Sequence, residues 1–450
     1  MASDQFSIDN PKIGRSSRTL SADNLAVRPD GSPDDPDRVE TGPTALAFAE
    51  WRCAGITAPN LQRMRQTRLD RTVAELQKRD LGGILLFDPL NIRYASDTSN
   101  MQLWVAHNPS RALLVTADGH MTLWDFHGCD HLSSYLPLVK EVRHGAGFFY
   151  FLAGDKEHEI ARSFAADVDS VLRERCGSNR RLAVDKIEVE GLRGLDELGL
   201  DIHSGQAVME HARSIKSVDE INAMRCAIDT CQRGMLAMHA AAKTGIAEVE
   251  LWALLHAENI KRGGEWIETR ILSSGPRTNP WMQEAGPRVL KDGDLLAYDT
   301  DLVGPYGMCA DLSRTLYIGE SEPTTEQKRL YQIAHEHIQT NMQMLAPGVS
   351  FRELTERGQK LPDEFIAQRY GVMMHGVGLC DEWPAILYPE DFIEGAFDYE
   401  LQPGMVLCVE AYIGAVGGRE GVKLEDQVLV TESGFENLST VSFEERLLAN

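Results

Sequence analysis

Apolar positions recur at steps of three and four along SVDEINAMRCAIDTCQRGMLAMHAAAKTG. Ile221, Met224, Ile228, Cys231, Met235 and Met238 share one stripe, the period of a helix with one buried face. Ser217 and Glu220 stand at the spacing of a capping box that opens this helix, and Gly245 closes it. Further helices are predicted at about 246–262 and 324–345, with strands around 295–301, 311–318, 404–414 and 424–431. Upstream, from about 60 to 205, helical and strand patterns alternate. LDRTVAELQKRDLG predicts a helix ending at a glycine, GILLFD a buried strand, and RALLVTADGHMTLWDF a hairpin turning at Asp118-Gly119. Residues 1–45 are rich in Ser, Asp, Pro and Arg and predict an irregular arm. The expected organisation is therefore an α/β domain over 46–210 and a second domain over 214–445. The 450-residue length suits roughly two or three domains.

Acidic residues interrupt this pattern where it is most apolar. In LLAYDTDLVGPYGMCADLSRTLYIG, Asp299 and Asp301 lie two apart on a predicted strand, so both face one side. Asp311 follows a glycine-containing turn and is expected on the returning strand. The plain alternative is a hairpin edge whose acids are solvated. GMVLCVEAYIG and GVKLEDQVLV, however, put Glu410 and Glu425 on hydrophobic strands, where a lone ionised carboxylate is rare. Such acids repel one another and lose hydration unless a cation joins them. His375, in the glycine-rich turn MHGVGLCDEWP, adds a nitrogen donor. One histidine and five carboxylates suit a pair of iron, manganese, cobalt or zinc ions. HEHIQ is not HExxH; His335 and His337 point apart and are expected at the surface. Cys309 and Cys380 neighbour these acids but alternate away, as packing residues.

Composition narrows the partners. Formal net charge is -23, which disfavours nucleic acid or an anionic membrane as partner. No apolar run is long enough to span a bilayer, and the first residues lack the pattern of a secretory signal. The eight cysteines form no CxxC pair, so reduced thiols in a cytoplasmic protein are expected.

The order Asp301, Asp311, His375, Glu410, Glu425 resembles the ligand order of the pita-bread metallopeptidase superfamily, which includes methionine aminopeptidase, prolidase, aminopeptidase P and creatinase. SSGPRTNP, DLSRTLYIG, HGVGL, GMVLCVE and GVKLEDQVLVTESG carry the likeness, over about 214–440. It implies an α/β (α+β) architecture, with a creatinase-like N-terminal domain before a pita-bread catalytic domain. It also implies that these five residues hold two metal ions, with Asp311 and Glu425 bridging.

The departures point to one branch. Trp281 stands where the peptidases carry a histidine that serves the substrate. Asp381 replaces a second histidine, before Glu382 and Pro384, and the hairpin gains Asp299. YDTDLVGPYGMCAD and RYGVMMHGVGLCDEWP are similar to the DddP-type dimethylsulfoniopropionate (DMSP) lyases. That resemblance implies a carbon–sulfur lyase releasing dimethyl sulfide and acrylate, with iron as the metal and a homodimer as the assembly. Asp381 is then the general base, an acid whose ordinary pKa of about 3.9 must be raised by its surroundings. The extra Asp299 joins the metal set. Tyr370, Trp104, Trp281 and Trp383 become candidates to face the sulfonium, a cation that aromatic faces attract. The alternatives are an Xaa-Pro peptidase with an altered pocket, and a non-catalytic interaction module on the same scaffold.

Overall fold

The computed structural model describes residues 26–35, 39, 41–396 and 398–449. Residues 1–25 of the expected arm lie outside them. The chain divides into two compact units: residues 1–40 with 60–213, and residues 41–59 with 214–450. Residues 46–59, expected with the first domain, pack with the second instead. The helix Ala45–Ala54 is held there by Glu50, which pairs with Arg262 at 2.6 Å.

In the first unit six strands form one sheet: β1 (Gly83–Leu86), β2 (Ala112–Thr116), β3 (Met121–Trp124), β4 (Glu141–Arg143), β5 (Arg181–Val184) and β6 (Asp201–Ser204). Their order is β4-β3-β2-β1-β5-β6. β2 and β3 are the expected hairpin, and Gly119 supplies the positive φ (84°) its turn needs. The helix Glu157–Cys176 buries Phe164, Val168 and Leu172 against Leu85 of β1 and Phe87 just beyond it. The helix Leu61–Lys78 stops before the glycine that was expected to end it, because Asp80 takes a left-handed turn (φ 54°).

After the first unit's last residue, Arg213, the chain returns to the second unit with the predicted helix, Val218–Ala241, and both halves of the Ser217–Glu220 capping box form. Its strands are β7 (Trp266–Ile267), β8 (Leu272–Ser274), β9 (Leu295–Asp299), β10 (Leu302–Val303), β11 (Cys309–Ala310), β12 (Ser313–Tyr317), β13 (Met374–Val377), β14 (Asp381–Ile386), β15 (Val406–Ile413), β16 (Val422–Thr431) and β17 (Gly434–Asn437). The large sheet runs β14-β13-β15-β16-β12-β9-β8, with β17 added on β16. β15 and β16 are buried almost end to end, so both faces are covered. Alternation then assigns each face. Leu407, Val409, Ala411 and Ile413, with Leu424, Val428 and Val430, join the core beneath the helix Thr325–Met342. Cys408, Glu410, Lys423, Glu425 and Gln427 take the opposite face.

The site loops depart from simple alternation. β9 ends at Asp299, and Asp301 has φ 35°, a conformation unusual for a residue with a Cβ. Asp299 and Asp301 therefore do not share one strand face as expected. Thr300 pins this kink: its hydroxyl donates to the Ala310 carbonyl and accepts from the Leu312 amide, both at 2.9 Å. Asp311 lies between β11 and β12, off the returning strand. His375, expected in a turn, is on β13.

Candidate functional site

Four strands and two loops bring the acids together. His375 on β13 turns its Nε2 toward Asp311 Oδ2 (3.4 Å), Glu410 Oε1 (3.4 Å) and Glu425 Oε1 (3.5 Å). Its Nδ1 lies 2.9 Å from the Gly376 carbonyl, to which it can only donate. That bond fixes the ring with Nε2 facing the acids. Burial works against a charged ring, but the acids overcome it and hold the imidazole well above its usual pKa; a metal ion bound there would take the place of the Nε2 proton. Two sets of donors converge within 4.8 Å: Asp311, His375, Cys408 and Glu425; and Asp301, Asp311 and Asp381. Asp311 belongs to both.

Glycine explains how His375 reaches this place. A Cβ at Gly376 would meet the Trp383 carbonyl at 2.3 Å, and one at Gly378 the Glu382 carboxylate at 2.4 Å. Only glycines let β13 close on β14 there. Glu382 is held in turn by buried Lys216. Asp381 begins β14, and its Oδ1 comes within 3.8 Å of His375 Nδ1. Its side chain is 54% exposed, while those of Asp311, Glu410 and Glu425 are at most 3% exposed.

Lys423, which the sequence reading passed over, sits inside the cluster. Its Nζ lies 2.9 Å from Asp299 Oδ2, 2.9 Å from Glu410 Oε2 and 2.6 Å from Glu425 Oε2. Ser313 Oγ is 2.8 Å from the same ammonium and 2.7 Å from Asp299 Oδ1. Lys423 is two residues before Glu425, so strand alternation was the signal that could have found it. Cys408, two before Glu410, was findable in the same way.

The charges act strongly on one another. Burial, then Asp299 and Asp381, push Asp301 up to about 8. Burial raises Glu410 to about 8 although Lys423 opposes it. Burial and the Glu425 and Asp299 charges hold Asp311 well above the usual carboxylate range. Burial works against ionised Glu425 too, but Lys423 and His375 overcome it and hold its carboxyl well below that range. Asp381 is raised by loss of hydration and by Glu425 and Asp299, with His375 opposing. These acids fit divalent cations. Asp311 Oδ1, Glu410 Oε1 and Glu425 Oε1 are buried with no hydrogen-bond partner, next to a histidine nitrogen presented for coordination.

Two of the three aromatic candidates in the second unit border the cluster. Tyr370 and Trp281 turn their faces to Lys423, with ring centroids 4.6 and 5.9 Å from Nζ. Trp281 is also stacked on Tyr412 at 5.7 Å and buried. Trp383 packs on Phe351 and Tyr399. Trp104 lies in the first unit, tilted against Phe126 at 5.2 Å. Asp299 has both oxygens engaged, by Ser313 and the Thr300 amide on one side and Lys423 on the other. His337, expected at the surface, is fully buried and stacked on Tyr388.

A half-barrel sheet carrying buried acids and a histidine on one face defines the class: a pita-bread unit of the metallopeptidase type. Residues 222–432 match metallopeptidase family M24. The structure of an Xaa-Pro dipeptidase from Bacillus anthracis superposes with a TM-score of 0.66 at 22% identity, covering 84% of this chain and 99% of that one. That likeness shows the fold. Two relatives named Dimethylsulfoniopropionate lyase DddP are far closer in sequence. The one from Roseovarius nubinhibens is 52% identical over 436 residues, 96% of this chain and 98% of the relative. The one from Roseobacter denitrificans is 50% identical over the same shares. The chain belongs to the DddP-type dimethylsulfoniopropionate lyase family. Among the described residues no helix is long and apolar enough to cross a membrane.

Proposed function

We propose that this chain cleaves DMSP to dimethyl sulfide and acrylate by β-elimination. The observation that carries the reading is Asp381: an exposed carboxylate at the rim of an otherwise buried acid cluster, in a chain half identical to proteins named for this activity. Two divalent ions are proposed to be held by Asp301, Asp311, His375, Glu410 and Glu425, with Asp311 and Glu425 shared. Asp299, expected to join this metal set, stands beside them, with its Oδ2 2.9 Å from Lys423 Nζ. Iron is the metal proposed, with manganese, zinc and cobalt as alternatives. When bound, the ions supply Lewis-acid stabilisation of negative charge at the carboxylate end of the substrate.

The protein's own groups do the rest. Asp381 accepts the proton on the carbon beside the carboxylate. The electron pair of that C–H bond becomes the C=C bond of acrylate, and the C–S pair leaves on sulfur as neutral dimethyl sulfide. A raised pKa makes Asp381 a stronger base than a free aspartate. Its half-exposed position lets the proton pass on to water. Tyr370, partly exposed beside the cluster, is the aromatic proposed to meet the sulfonium. Trp281 and Trp383 are packed into the second unit. A homodimer in the cytoplasm completes the proposal.

Purified protein incubated with DMSP and, separately, with Xaa-Pro dipeptides tests this. Dimethyl sulfide without free proline is the expected result. Free proline without dimethyl sulfide would make the chain a peptidase with an altered pocket, and neither product would leave the interaction module.

A further inference from the structure

Lys423 is fully buried, and the environment around its ammonium is that of a cation site. Four oxygens surround Nζ at 2.6–2.9 Å, one each from Asp299, Glu410, Glu425 and Ser313. Two aromatic faces close another side. A lysine is almost never buried without such partners. Meanwhile the other oxygens of Glu410 and Glu425 remain without hydrogen bonds and turn to His375. Each of these two acids is thus divided: one oxygen serves the lysine, and one is left for another cation.

We propose that Lys423 is the cluster's built-in counter-cation, a positioning residue that neutralises the additional Asp299 and presents one free oxygen each of Glu410 and Glu425 to the metals. Charge counting supports this. Asp299, Asp301, Asp311, Asp381, Glu410 and Glu425 bring six negative charges. Two divalent ions offset four, which leaves two; Lys423 reduces that to one. Asp299 is the acid whose neutraliser is most specific, because its Oδ2 meets the ammonium while Oδ1 is taken by Ser313 and the Thr300 amide. Asp299 and Lys423 therefore act as a pair, and losing one partner alone is worse than losing both.

The inference rests on the metal reading only for the ions; substrate plays no part in its test. The variants are Lys423→Met, Asp299→Asn and the double variant. Thermal midpoints are measured after chelation, with elemental analysis confirming removal, and again with manganese(II) added. In the metal-free state Lys423→Met is expected to melt roughly 5–10 °C below wild type. Manganese is expected to close more than half of that gap, because added cations replace the lost charge. The double variant should melt above Lys423→Met even without metal. If Lys423→Met yields no folded protein, a folded double variant supports the pairing, and an unfolded one overturns it. Equal losses with and without manganese, together with no relief from Asp299→Asn, would make Lys423 a packing residue and overturn the proposal. Wild type that binds no manganese would sink the metal reading, while the metal-free comparison of the three variants would still decide the role of Lys423. A chain that releases no dimethyl sulfide can pass every arm.

Discussion

The two halves of the acid cluster differ in what balances them. Asp299 and the outer oxygens of Glu410 and Glu425 surround a lysine ammonium and a serine hydroxyl. Asp301, Asp311 and Asp381 converge with no lysine or arginine bonded to them among the described residues, and His375 lies beside Asp311 and Asp381. The first half carries its cation on the chain. The second is assembled against its own repulsion, with Asp301 pushed to about 8. Such a half is held in place by the fold, and its free energy falls when an external cation arrives. The difference teaches where exchangeable ions are needed and where they are not.

The largest effect should follow loss of an acid shared by both donor sets. Asp311→Ala is expected to lose both ions together, measured by elemental analysis, because each would be short of a ligand. Activity should fall by more than the roughly 10²–10⁴ that removing a base alone would cost. Glu425→Ala should behave alike and also leave Lys423 short of a partner. Full metal occupancy in either variant would break the assignment. Next comes Asp381→Asn, which keeps the size of the side chain but cannot take the proton. Turnover should fall roughly 10²–10⁴-fold, in kcat more than in KM, with metal content near wild type. Near-normal turnover with metals held would move the base elsewhere.

Much of this was legible in the sequence, where local pattern and local chemistry agreed. The Ser217–Glu220 box, the hairpin at Asp118-Gly119 and the acids on β15 and β16 follow from spacing alone. The kink at Asp301 was not legible. Alternation assumes an unbroken strand, and a threonine hydroxyl bonded across to Ala310 and Leu312 breaks it. Lys423 was legible in principle, two residues from Glu425, but a lysine in an apolar run is ordinarily assigned to the surface. The helix Ala45–Ala54 gave no local sign of its unit, since Glu50 meets Arg262 across 212 residues of chain. His337 shared a helical face with Leu330, Ala334 and Asn341, and the paired histidines in HEHIQ drew attention from that stripe.

His337 offers a control that separates acid effects in the cluster from those elsewhere. Burial lowers its pKa from 6.5 to about 4. The unfolded chain therefore takes this proton more readily than the folded one. Its contribution to stability is complete above about pH 6.5 and is lost as pH falls toward 4, on the order of 3 kcal/mol in all. His337→Phe can still stack on Tyr388 and does not titrate. Denaturant titrations of metal-free protein should show the variant gaining on wild type across that window. Parallel curves would remove His337 as a source of the acid sensitivity.

The smallest effect concerns the aromatic edge of the lysine-held half. Tyr370 is partly exposed, and one face of its ring is 4.6 Å from Lys423 Nζ. If it also meets the sulfonium, removing the ring costs binding energy that is felt in ground state and transition state alike. A cation on an aromatic face is worth about 0.5–2 kcal/mol, so Tyr370→Ala should raise KM by roughly 2–30-fold. Turnover should stay near wild type, because uniform binding does not enter kcat. Metal content should be unchanged, since Tyr370 is not among the proposed ligands. Tyr370→Phe keeps the face and loses only the hydroxyl, so it should retain most of the affinity. Should both variants leave KM unchanged, the ring serves Lys423 alone, and the sulfonium is recognised elsewhere. Should Tyr370→Ala instead lower metal content, the lysine-held half would be coupled to the ions more tightly than its built-in charge suggests.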